Sequence, residues 1–137
     1  MRWIASVPSF AYLFVVYNFL VFSGGDAGGS VLEKELHAFS MLSGSVFAIH
    51  AGNVLLMVGV VALYIEIFKA TRSATTSILD HLFSMLTFVG FLVEFLVSPK
   101  GATEVFFILM LMAFLDVVAG FTVTIVSARR DMSLGSA

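Results

Sequence analysis

The chain has 137 residues, 60% of them hydrophobic and only 12% charged, with a formal net charge of −2. A soluble domain usually carries about 25% charged residues, so this composition excludes one and describes an integral membrane protein. With no cysteine at all, disulfides, thiolate catalysis, Cys-ligated zinc and iron–sulfur clusters are excluded as well.

Four apolar runs are long enough to cross a hydrocarbon core of about 30 Å at 1.5 Å per residue. The first, Trp3 to Phe22, has one interior polar side chain, Asn18, and carries Pro8 in its first turns, where proline costs least. Trp3 and Tyr17 are expected at opposite membrane interfaces. Its apolar length, with small residues following at Ser23 to Gly25, is too great for a cleaved leader, so it reads as a retained span.

A glycine-rich turn runs from Ser23 to Gly29. Ser30 and Glu33 then have the spacing of a capping box, which predicts an amphipathic external helix over Val31 to Leu42, ending near Gly44. The second span is expected over Ser45 to Phe68. Ser40, Gly44, Ala48 and Gly52 recur every four residues, a small-residue ridge suited to close helix contact, and Glu66 with Lys69 and Arg72 reads as a solvated pair at the membrane edge.

The third run, Ser77 to Val97, is the most informative. Ser77, Asp80, Ser84, Thr87, Glu94 and Ser98 follow steps of three and four, with Phe91 the single apolar member, and so share one arc of a helix. An ionised group at the bilayer centre costs about 2.5 to 3.5 kcal/mol even on insertion scales, so this face must meet protein or water. The fourth span, Glu104 to Ser127, follows a Pro99-Lys100-Gly101 turn, with Thr103 as its N-cap. Asp116, Gly120, Thr124 and Ala128 make a further small or polar line along it.

Together these runs predict an all-α polytopic membrane protein, a single domain over residues 1–137 with four transmembrane helices in an up-down bundle. Arg2, Lys69, Arg72, Arg129 and Arg130 fall on one side, and Lys34 and Lys100 on the other. The positive-inside rule then places both termini in the cytoplasm, and the expected location is a bacterial inner membrane.

Counting inward from the span ends predicts three polar layers. Asp116 is expected level with Ser84, Thr87 and Gly59; Glu94 with His50, Asn53 and Asn18; and Asp80 and His81 with Glu66 near the cytoplasm. Two roles fit them. Asp116, Glu94, His50, Asp80, Thr87 and Ser84 either line a proton or cation path or contact a partner. Asn18, Asn53, Gly44, Ala48, Gly52 and Gly120 are read as helix-packing residues. Because the buried acids lack an intramembrane Lys or Arg of their own, the leading expectation is a noncatalytic protein acting as a homo-oligomer or as an accessory subunit among other membrane proteins. A small proton- or cation-coupled transporter or channel is the alternative.

No catalytic set, metal-ligand cluster, phosphate-binding loop or nucleic-acid patch is visible, and no cofactor is implied. His50 and His81 fall at opposite ends of their spans, so they cannot share one haem iron within a protomer. The lipid bilayer is the one partner composition demands.

Overall fold

A computed structural model of the chain describes residues 7–24, 31–72 and 77–135. Within them the order is α1 (Ser9–Ser23), β1 (Glu35–Ser40), β2 (Val46–His50), α2 (Ala51–Arg72), α3 (Ser77–Val97), a 3-10 turn (Pro99–Gly101) and α4 (Glu104–Gly135). Three helices, α2, α3 and α4, are long and apolar enough to cross a membrane. Helix α1 has 15 residues, about 22 Å of helix, which is short of the roughly 20 residues a span requires. Trp3 and Arg2 lie outside the described residues.

Helix α4 packs along both α2 and α3, and α1 packs against all three, from Glu66 near one end of the bundle to Glu94 and Lys100 near the other. The α2–α4 seam is close because two glycines one heptad apart face it. A Cβ at Gly52 would come 2.7 Å from a Val105 methyl, and one at Gly59 would come 2.9 Å from Leu109 and from the Met112 sulfur. In a membrane, where apolar burial drives helices together weakly, such backbone approach supplies the packing. An aromatic knot fills the centre: Phe14, Phe91 and Phe106 lie with ring centroids 4.9 to 6.2 Å apart, and the Tyr17 ring lies tilted against Phe106 at 4.7 Å.

Side-chain hydrogen bonds fix the start of α4 and the 3-10 turn before it. Thr103 caps α4, its hydroxyl accepting from the Phe106 amide at 3.2 Å, as its N-terminal position predicts. Tyr17 is fully buried against protein and donates to the Lys100 carbonyl at 2.8 Å, so it ties α1 to the 3-10 turn at the end of the spans. The Lys100 ammonium lies 4.6 Å above the Phe22 ring at the same end.

The largest departure from the sequence reading is the segment before α2. An antiparallel hairpin replaces the amphipathic external helix expected over Val31 to Leu42, with Phe39 opposite Phe47 and Ala38 opposite Ala48. The loop explains it. Met41 donates to the Ser45 carbonyl at 2.8 Å, Gly44 donates back to the Met41 carbonyl at 2.9 Å, and Gly44 has φ +84°. This is a three-residue hairpin turn that ends in a left-handed glycine, a conformation other residues enter at a cost.

Two corrections follow. Ser40, Gly44 and Ala48 belong to the hairpin, so the proposed small-residue ridge on span two reduces to Gly52. Helix α2 starts at Ala51, not Ser45, because His50 and Asn53 set its start: the His50 amide donates to Asn53 Oδ1 at 3.1 Å, the reciprocal half of a capping box. The expected cap at Ser30 lies outside the described residues.

Candidate functional site

The polar face of α3 turns inward, as its spacing requires, and divides into two groups. At the end of the bundle nearest the α2–α3 connection, Glu66, Lys69, Asp80, His81, Ser84, Asp116 and Gly120 line a cavity of about 30 Å³. Such a volume holds about one water molecule. Glu66 and Asp116 are each only 7% exposed.

Each wall has a local cause. Glu66 on α2 accepts from both the backbone amide and the hydroxyl of Ser9, at 2.6 and 2.5 Å, so a distant carboxylate caps the first turn of α1. Lys69, one turn on, closes on the Glu66 carboxylate at 3.0 Å and is 35% exposed. The pair is therefore largely buried on its acidic side, where the sequence suggested a solvated one. Ser84 on α3 hydrogen-bonds Asp116 on α4. One buried oxygen of Asp80 has no hydrogen-bond partner.

His81 is held on α4. Its Nε2 lies 2.9 Å from the Thr124 hydroxyl, which itself donates to the Gly120 carbonyl, so the imidazole is the donor in that pair. The ring stacks on Phe121 and occupies the space a Cβ at Gly120 would fill. Gly120 is thus a notch for an imidazole.

At the hairpin end, Glu94 accepts from Asn18 Nδ2 at 2.9 Å, while its other oxygen is buried without a partner. Asn18 also donates to the Phe14 carbonyl at 3.0 Å. Between the two groups sit Phe91 and Phe106, both fully buried, with Phe14 against them. Phe91, the apolar interruption of the α3 polar line, is the residue that separates them.

Several placements differ from the sequence reading. Asp116 shares the cavity with Asp80 and Glu66, so two expected layers are one. Ser84 meets it, but Thr87 donates to its own helix at the Phe83 carbonyl, 2.8 Å away, and Gly59 faces Leu109 and Met112 nearer the hairpin end. Counting from Ser45 had set Gly59 six residues too deep. His50 is the last residue of β2, paired with Asn53, and neither is bonded to Glu94. Asn53 is a cap at the start of α2 and not glue between helices.

Lys69 supplies an intrachain cation to the acids, which the sequence reading assigned to a partner. The contacts that sequence reasoning missed outright are those of Ser9 with Glu66 and of Tyr17 with Lys100 and Thr103. No periodicity reports either, since each joins residues more than fifty positions apart.

Among the described residues no three His, Asp or Glu side chains converge as a metal-ligand set. His50 and His81 stand at opposite ends of the bundle. The chain matches no known protein family, and neither curated proteins nor solved structures show significant similarity to it.

Proposed function

We propose that this chain is a noncatalytic membrane protein that works as an oligomer or as an accessory subunit of a larger membrane assembly, with its termini in the cytoplasm as the basic residues distribute. The observation that supports this over transport is the Phe14–Phe91–Phe106 layer. It divides the interior polar residues into two groups with no polar side chain bridging them among those described. Each group ties helices together: Glu66 joins α1 to α2, Ser84 and His81 join α3 to α4, and Asn18 joins α1 to α3 through Glu94. Side chains used this way hold a scaffold in shape.

Gentle detergent extraction followed by native mass spectrometry tests the proposal. A defined complex larger than one chain is the expected result, and a monodisperse monomer overturns it.

Coupled transport has one observation in its favour. The inner cavity places the carboxylates of Glu66, Asp80 and Asp116 against a single ammonium, that of Lys69. Proton flux in proteoliposomes that Asp116→Asn abolishes would put transport first.

A further inference from the structure

We propose that the β1–β2 hairpin is a membrane-interface anchor, its tip and aromatic face seated in the headgroup region of the leaflet on which it emerges. This goes beyond the assembly reading and stands without it.

The charge distribution carries the argument. From Leu36 to Ile49 the chain holds no Asp, Glu, Lys or Arg, whereas Glu33, Lys34 and Glu35 cluster at the root. A hairpin built to project into water or to meet a polar surface would carry charge at its tip. This one reverses the order. Its turn presents Met41 and Leu42, both exposed, Leu42 completely.

Register adds a second observation. Directly opposed residues of an antiparallel pair share a face, so Phe39 with Phe47 and His37 with Ile49 make one continuous side. The Phe39 and Phe47 rings are about half exposed, and every residue of β1 is exposed. Two strands alone are marginal in water, so this face needs a covering.

Continuity identifies the covering. The hairpin runs directly into α2, whose membrane-crossing stretch opens at Ala51, one residue after β2 ends. Bilayer therefore begins at the root of the hairpin, and its surface is the neighbour always within reach. The outer edges of the two strands leave backbone groups unpaired, which excludes the hydrocarbon centre and suits the interface, where water still reaches them.

The test uses the full chain in lipid nanodiscs. Trp3, the only tryptophan, is removed by Trp3→Phe, and a probe is introduced by Phe47→Trp or, separately, by Leu42→Trp. With phospholipids brominated near the headgroup end of the acyl chain, both probes are expected to lose most of their emission, while aqueous iodide quenches them weakly. Strong iodide quenching without bromolipid quenching overturns the proposal by placing the hairpin in water. Protection from both quenchers overturns it too, by showing that a second copy or another protein covers the face.

Discussion

Ser9 and Glu66, 57 residues apart in the chain, meet through two hydrogen bonds to one carboxylate oxygen, at 2.6 Å from the amide and 2.5 Å from the hydroxyl. The amide is one of the four a helix start leaves unpaired, so a side chain on α2 performs for α1 what a local N-cap does elsewhere. This bond sets where α1 begins and against which helix it rests.

Glu66→Gln should therefore lower stability even though it nearly preserves shape, because the Ser9 amide retains only a neutral acceptor and the ion pair with Lys69 is lost. The expected loss is about 1 to 3 kcal/mol, the range for weakening a buried hydrogen bond to a charged group. Ser9→Ala should cost less, since the backbone bond survives. Thermal unfolding in detergent of the two single variants and the double variant measures the coupling. A double variant whose loss equals the sum of the singles would show that the Ser9 hydroxyl does not stabilise through Glu66.

Gly120→Ala tests the imidazole notch. The new methyl and the His81 ring cannot share the space, so the ring must leave Thr124, and overpacking of this kind costs about 1 to 3 kcal/mol. Adding His81→Ala should recover part of the loss by emptying the notch. A double variant less stable than Gly120→Ala alone would mean that the ring is not the obstacle. Melting temperatures of the three variants decide it.

Much of the interior was readable from residue order. The bounds of α3, Ser77–Val97, follow from its apolar run, and Asp80, Ser84 and Glu94 turn inward because a membrane helix hides its polar arc. Thr103 announces the start of α4. What escaped was set by tertiary geometry. Depth counted from Ser45 failed because the hairpin consumes residues up to His50, and the capping-box spacing at Ser30 and Glu33 favours a helix where Leu36 to Ser40, with Ala38 beside Phe39, shows no alternation that would announce a strand. Gly44 was legible as a break but not as a left-handed turn. Lys69 reads as a membrane-edge residue from its position, yet a flexible four-carbon stem lets its ammonium reach an interior carboxylate.

Gly44→Ala should loosen the hairpin without loosening the bundle. At φ +84° a Cβ clashes with its own backbone, a cost of about 1 to 2 kcal/mol, although nothing else lies within 4 Å of the site. Asn tolerates that conformation better, so Gly44→Asn should cost less. Hydrogen exchange at the Met41 and Gly44 amides, both bonded across the turn, is expected to quicken in Gly44→Ala while exchange in α2 and α4 stays unchanged. Equal protection in all three proteins would show that the turn does not depend on the glycine.

Phe91 is the residue on which the two interior polar groups depend for their separation. It is 0% exposed and touches Phe14 and Phe106, so Phe91→Ala should cost about 3 to 5 kcal/mol, a lost side chain plus the cavity it leaves. Phe91→Leu keeps most of the volume and should cost clearly less. The functional consequence separates the two readings of the protein. If the aromatic layer seals the interior, proteoliposomes carrying Phe91→Ala should leak protons faster than those carrying the unaltered chain, because water can then join the Asp116 cavity to Glu94. Asp116→Asn in that background should slow the leak. An unaltered chain that conducts as fast as Phe91→Ala would mean that the aromatic layer is no barrier, and would remove the ground on which assembly is preferred to transport.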